Sequence, residues 1–313
     1  MPSEPSFMVA SSCFSQALER IVRESFSSEP PPVLYHYTTW DGLKGILQSG
    51  KIWATAHDCT NDSDELFSAD DAILRVATAL LEDADPDTTA LLQMFLTRYA
   101  DINQRTVASN YLACFCAARD KDTQWKHYGA EGAGVCIAVP LLDEPLPDDE
   151  LARVLIRVRY SSSEVEAILR CSFLQVCRVT QDALADGAPR TNEDTALPAL
   201  SAVWRVAAFG ALAAKTPRWQ DEEEWRVVAV ADPSRTLPLS RTREDGRTIR
   251  YIELPLRQAG RPIAVSEVIV GPAQDSSAAL ARAQALLEAH GYATTGDGAT
   301  LVTASTVGAQ ASA

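Results

Sequence analysis

"VLYHYTTWDGLKGILQSGKIWAT", residues 33–55, reads as strand, helix and strand in quick succession. Residues 33–37 are a short apolar run. Thr38 or Thr39 supplies the oxygen that a helix N-terminus needs, and "WDGLKGILQSG" closes at Gly50, where a left-handed cap is wanted. "KIWAT" then starts a second strand. The first strand carries His36 between Tyr35 and Tyr37, in a chain with 4 histidines. A Val or Ile would pack there with less trouble, because an imidazole brings two ring nitrogens that need partners. His36 is therefore either a satisfied core residue or a ligand-binding group at the mouth of a sheet.

The remaining composition narrows the classes. With 313 residues the chain holds one large domain or two ordinary ones. A hydrophobic share of 46% with 22% charged residues indicates a packed core rather than disorder. The net charge of -14 argues against nonspecific nucleic-acid binding, although a local basic pocket remains compatible with it. The longest apolar stretch, residues 202–214, is too short to span a bilayer and contains Arg205. No basic segment followed by an apolar block opens the chain, so a cytoplasmic protein is expected, with a secreted effector still compatible. The 7 cysteines are odd in number and lack a CxxC pair, which indicates free thiols in a reducing compartment. Cys114 and Cys116 share a strand face, but with His57 and Cys59 they do not make the tight spacing of a structural zinc site.

Along the chain, residues 12–26 have helical periodicity and "SSEPPP" breaks them from the first strand. A long helical region is expected from about 63 to 106, interrupted near "EDADPD". "NDSDE" (61–65) reads as a helix N-cap cluster rather than a calcium loop. Strands follow at "NYLACFCA", "GVCIAVP" (134–140) and "ARVLIRVRY" (152–160), the last with Arg153, Arg157 and Arg159 on one face. "DKDTQWKHYG" is a short helix or turn. Helices at about 163–186 and 194–215 precede strands at 224–230, 248–254 and 265–271, and a last helix begins at "SAALARAQ". Strands and helices do not alternate regularly, so the fold class is α+β. The expected boundaries are an N-terminal helix and linker (1–29), one domain (30–295) and a frayed tail (296–313).

Three places stand out for chemistry. One is Tyr35-His36-Tyr37-Thr38. The second is an aromatic group of Trp125 and Tyr128, with Trp53 on the earlier strand. The third is "WQDEEEWRVV" (219–228), where in an extended segment Glu222 and Glu224 share one side and Glu223 the other. Two close carboxylates need a cation or donor to stay ionised, and Arg226 lies on the Glu224 face. A carboxylate at the root of a buried strand costs stability unless it is paired or used. Gly-rich phosphate loops, GxSxG elbows and HExxH motifs are missing from the sequence.

The order "YHYT", "SGKIWAT", "NDSDE", "YLACFC", "DTQWKHYG", "GVCIAV" and "EEEWRVV" resembles a bacterial family, the domain of unknown function numbered 2971, over residues 33–272. That family in turn resembles the ADP-ribosyltransferase fold, with its split mixed β-sheet. The resemblance implies NAD as the substrate. It implies that His36 binds an adenosine ribose hydroxyl, that backbone beside Tyr37 holds the nicotinamide amide, and that Thr38 supports His36. Trp53, Trp125 or Tyr128 would wall the nicotinamide ring. Glu224 would be the catalytic carboxylate, with Glu222 completing a paired acidic motif. Arg153, Arg157, Arg159 or Lys215 would neutralise the pyrophosphate. Tyr37 departs from the family's Gly and is expected to narrow the nicotinamide pocket. The resemblance thus implies an ADP-ribosyltransferase or NAD glycohydrolase, a toxin or defence effector in setting, with an unidentified macromolecular acceptor. The alternative is a non-catalytic nucleotide- or protein-binding module of the same fold.

Overall fold

The order in which short apolar segments alternate with helices builds a large mixed β-sheet. The structure, a computed structural model, describes residues 16–18, 20–26, 28–60, 69–107, 110–141, 152–187, 195–230, 237–243, 246–255 and 263–307. The "NDSDE" segment lies outside the described residues. The chain divides into two compact units: Met1–Ser28, Ala56–Asn110 and Ile156–Trp219 form one, and Glu29–Thr55, Tyr111–Leu155 and Gln220–Ala313 the other.

The second unit carries the sheet. Its strands are β1 (Val33–Thr38), β2 (Lys51–Ala56), β3 (Asn110–Cys116), β4 (Val135–Pro140), β5 (Ala152–Arg157), β6 (Glu224–Val230), β7 (Leu239–Thr242), β8 (Thr248–Pro255), β9 (Glu267–Val270) and β10 (Leu301–Ala304). The order is β10-β9-β4-β1-β3-β2-β8-β7, with β6 pairing β3 and β5. β4, β6 and β9 are buried along nearly their whole length, β4 as an unbroken apolar run, β6 with Glu224 and Arg226 buried among its apolar residues and β9 starting at Glu267. β1 is antiparallel to β4 over all six residues, from Val33 opposite Pro140 to Thr38 opposite Val135. β9 and β10 are parallel. The chain around 301–304, expected as tail, is thus part of the sheet; its "LVTA" is too short and half-exposed to announce itself by periodicity. β7 escapes a sequence reading for the same reason.

Helix α1 (Trp40–Ser49) starts at Thr39, whose side chain accepts from the Gly42 amide at 3.1 Å. It ends at Gly50 with φ 67°, as the opening motif demands. Thr38 is left to pack on the first turn: a Cβ at Gly42 would lie 2.0 Å from its hydroxyl oxygen. Gly134 is required just before β4, because a Cβ there would sit 2.3 Å from the Thr38 carbonyl oxygen.

The helical unit holds α2 (Asp70–Ala79), α3 (Pro86–Val107), α5 (Ser162–Ala185) and α6 (Leu197–Ala213), while the short α4 (Asp122–His127) and α7 (Ser276–Ala289) belong with the sheet. Both helical insertions therefore lie where periodicity puts them. α6 is buried on nearly every side, which accounts for the 202–214 apolar run, and Arg205 points to solvent. Its Trp204 stacks on Tyr99 (centroids 5.3 Å) and contacts Phe95 (4.7 Å), and Phe95 meets Phe173 edge-on. Among the described residues no helix is long and apolar enough to cross a membrane.

One carboxylate ties the end of β10 to the loop after β3. Asp120 accepts from Trp125 Nε1 (2.7 Å), Ser305 Oγ (2.7 Å), Thr306 N (2.6 Å) and Thr306 Oγ1 (2.9 Å). Burial pushes its pKa up, but these four donors, led by Trp125, outweigh it and hold the carboxyl below its ordinary value. Because the folded pKa lies below the unfolded one, this stabilisation is complete above about pH 4 and disappears as pH falls through the folded value. Asp120→Asn should therefore lower stability by on the order of 2 kcal/mol at pH 7. The gap between mutant and parent should shrink below about pH 4 in urea denaturation curves.

Candidate functional site

β1 and β3 meet at a single register, Tyr35 opposite Cys116. The Ala117 N–H, one residue on, goes to the Glu223 carbonyl on the other edge at 3.0 Å. Backbone groups alternate edges along a strand, so Tyr35 and Cys116 are the pair that exchanges hydrogen bonds. Beyond it the strands separate. By the same alternation Tyr37, two residues on, aims its N–H and C=O into the opening between β1 and β3.

His36 bridges that opening. Its Nδ1 lies 2.9 Å from the Cys114 carbonyl oxygen, and its ring sits 5.6 Å from that of Phe115. A carbonyl only accepts, so Nδ1 carries the proton and a neutral ring keeps its lone pair on Nε2. Desolvation by the surrounding protein drives the His36 pKa below its usual value, with the Cys114 bond opposing it, so the ring is neutral at pH 7. Among the described residues nothing hydrogen-bonds Nε2. The residue is half-buried, with its support coming from Cys114 rather than from Thr38.

Tyr37 points the other way, into a cluster with Cys116, Trp125, Cys136 and Ile269. Its ring meets Trp125 edge-on at 4.9 Å. Its hydroxyl donates to the Arg119 carbonyl (2.9 Å) and accepts from the Lys121 amide (3.0 Å). The expected narrowing of a pocket by Tyr37 is therefore not what its side chain does: it holds the loop 117–121 from beneath. Trp125 is 1% exposed and its indole is committed to Asp120, which makes it a core residue of this loop. Cys116, packed beside them, has its thiol pushed up to about 12 by burial.

The same loop and α4 hold the acidic corner. Residues Pro217–Glu222 form a 3₁₀ turn and Glu223 has φ 45°, a left-handed conformation uncommon outside glycine. The extended geometry expected for 222–224 is replaced by this turn. Within it Glu222 and Glu224 are buried and Glu223 is exposed. Lys121 pairs with Glu223. Gln124 Nε2 donates to the Glu222 carbonyl (3.1 Å), and Tyr128, one helical turn later, donates its hydroxyl to Glu222 Oε1 (3.0 Å). Glu224 receives Arg226 Nε on Oε1 (2.7 Å) and Nη2 on Oε2 (3.0 Å). The two side chains are 6% and 1% exposed, so both charges are out of water.

The strands that carry His36 and Glu224 both adjoin β3, β1 through Tyr35 and Cys116 and β6 by its own pairing. Tyr128, 38% exposed, joins Glu222 at this corner. Trp53 is on the outer face of β2, against Tyr251 and Arg241. Arg153 is turned onto the Pro255 carbonyl, with its pKa lowered to about 10 by desolvation, and Arg159 donates to Ser28 Oγ at 2.8 Å. Arg157 is exposed at the end of β5. Lys215 is buried, 5.6 Å from the Trp219 ring centroid. Among the described residues no group of three or more His, Cys, Asp or Glu side chains could hold a metal.

The residues missed in the sequence are Gln124, Lys121 and Asp120. Their signal was the dense polar run "ARDKDTQW", which looks like a solvated turn until its partners are known.

Residues 124–227 match a family model described as a protein of unknown function, DUF2971. The match begins at Gln124 and ends one residue past Arg226, so it spans the acidic corner and the α4 residues that hold it. No curated protein and no solved structure matches the chain.

The state of His36 is directly measurable. In nitrogen-detected NMR, Nε2 should show the shift of an unprotonated ring nitrogen at pH 7, with Nδ1 protonated. The ring should titrate below about 6.5, the ordinary value for histidine. A titration at or above that value would mean the Cys114 contact does not hold a neutral ring.

Proposed function

We propose that the chain is an NAD-dependent ADP-ribosyltransferase or NAD glycohydrolase. The observation that carries this is the opening between β1 and β3, which presents an amide-like donor and acceptor from Tyr37 beside a bare imidazole lone pair from His36. A nicotinamide carboxamide needs one acceptor and one donor in line, and a ribose hydroxyl needs an acceptor. Tyr37 would take the carboxamide through its backbone, and His36 Nε2 would accept from the ribose hydroxyl. Thr38 would shape the start of α1 beside them. Trp125 supports this reading by fixing the loop, and Tyr128 is the wall candidate that remains exposed at the acidic corner. The split, mixed sheet would then be of the ADP-ribosyltransferase type.

Cleaving the bond from ribose to nicotinamide builds positive charge on the sugar as neutral nicotinamide departs. Glu224 would stabilise that charge, with Arg226 keeping its carboxylate ionised and fixed. Glu222, oriented by Tyr128, would steer the incoming nucleophile, water or an acceptor group. The attacking group forms the new bond to the sugar carbon and gives up its proton.

A second reading, a non-catalytic nucleotide- or protein-binding module of the same fold, draws on the bidentate Arg226 contact. That pair already occupies both Glu224 oxygens. Turnover separates the two.

Calorimetry with NAD and an assay for nicotinamide release test the proposal on two variants. Glu224→Gln should leave NAD affinity nearly unchanged and cut release by on the order of a hundredfold or more. His36→Ala should weaken NAD binding by about 1–3 kcal/mol while release per bound NAD falls less. Melting temperatures on both separate ligand effects from loss of fold. Binding without release in the parent protein would favour the module, and no binding would end the NAD reading.

A further inference from the structure

The outer face of β2, β8 and β7 combines features that the acidic chain shows nowhere else in its described strands. Trp53 stands on it with 41% of its surface exposed. Tyr251 lies against Trp53 with ring centroids 4.4 Å apart and planes tilted by 32°. The Arg241 guanidinium carbon is 4.9 Å from the Trp53 ring centroid. The ladder fixes who shares this face. Trp53 is opposite Glu253 and Thr55 opposite Tyr251, and Tyr251 in turn is opposite Leu239 and Ile249 opposite Arg241. Pairing continues into the turn, where the Arg243 N–H donates to the Arg247 carbonyl at 2.9 Å. With a period of two, Arg241, Arg243, Arg247, Tyr251 and Trp53 all belong to one side of the hairpin.

The charge of this face runs against the chain. Of the four arginines in "SRTREDGRTIRY" (240–251), Arg241, Arg243 and Arg247 belong to this side and Arg250, opposite Ser240, to the other, in a protein whose net charge is -14. Lys51 adds little, because Glu253 pairs with it at 2.8 Å. Among the described strands β7 is the last in the sheet order, and it is exposed along its length.

We propose that this face binds single-stranded nucleic acid. Each part has a role in that contact. An aromatic pair stacks on unpaired bases, whatever their identity. An arginine set over an indole adds a cation to the stacking platform and brings N–H donors for phosphate oxygens. Arg243 and Arg247, further along the hairpin, continue the phosphate track. A duplex hides its base faces and would leave Trp53 and Tyr251 without a role. An acidic peptide would satisfy the arginines but not the flat aromatic pair. The negative field of the rest of the molecule confines the contact to this face and keeps it short. The proposal is independent of the NAD reading.

Fluorescence anisotropy on the full chain tests it, with labelled oligo-dT and oligo-U of about 20 nucleotides as probes. Binding should be measurable at low salt and should weaken with a log–log slope of about -2, as for three phosphate contacts on a single strand. Trp53→Ala and Arg241→Ala should each weaken it about tenfold or more at unchanged melting temperature. Should Trp53→Ala lose its fold, Arg247→Gln on the exposed turn carries the test with a smaller loss and a shallower slope. No binding at low salt, equal binding by these variants, or preference for the same sequence as a duplex would overturn the proposal. Binding of a poly-glutamate peptide with no oligonucleotide binding would overturn it too, in favour of a protein partner.

Discussion

β1 and β3 touch at one residue pair, and the geometry of the site follows from their parting beyond it. If Tyr35 and Cys116 were one pair in a longer ladder, Tyr37 would satisfy its backbone on β3, and the Cys114 carbonyl would have a backbone donor. Because the ladder stops, an imidazole takes the Cys114 carbonyl instead. That bond forces the proton onto Nδ1 and leaves the lone pair of Nε2 outward. A Val or Ile at position 36 would lose this bond, worth on the order of 1 kcal/mol. The structure explains the opening sequence motif as a histidine that closes a gap in the sheet; under the proposed function the same ring accepts from a ribose hydroxyl.

The opposite face of the same strands makes the gap rigid. Tyr37 and Trp125 meet edge-on beneath it, and their polar atoms go to the loop 117–121 and to Asp120. That loop passes Lys121 to Glu223. Glu223 is held in a left-handed conformation between two buried carboxylates, the kind of local strain that persists only where neighbours over-determine it. Gln124 and Tyr128 clamp Glu222, and Arg226 clamps Glu224. A buried ion pair is a poor way to gain stability, since desolvation consumes most of the attraction. Its presence at the root of β6 is easier to understand as a means of holding a carboxylate charged in one place.

Much of this architecture was legible in the residues. The Thr39 cap, the Gly50 terminus, the helical insertions and the buried strands β4, β6 and β9 follow from capping chemistry and apolar periodicity, which act locally. Arg226 was legible as the partner of Glu224 because two residues in a strand share a face. What escaped was non-local. The short strands β7 and β10 are defined by their neighbours and not by their own composition. Trp125 reads equally well as a binding aromatic or a core residue until Asp120 is seen to hold its indole. Tyr37 looked like an obstruction because its sequence position does not reveal which side of the sheet it fills. The support of His36 by a carbonyl from Cys114 depends on where two strands diverge, which no spacing in the sequence encodes.

The most direct test is a crystal structure of the chain soaked with ADP-ribose. The account places a ribose hydroxyl within about 3 Å of His36 Nε2, with Nδ1 still on the Cys114 carbonyl. It contradicts the account if ADP-ribose occupies another surface, or if His36 Nε2 contacts only water while the ligand is bound elsewhere at full occupancy.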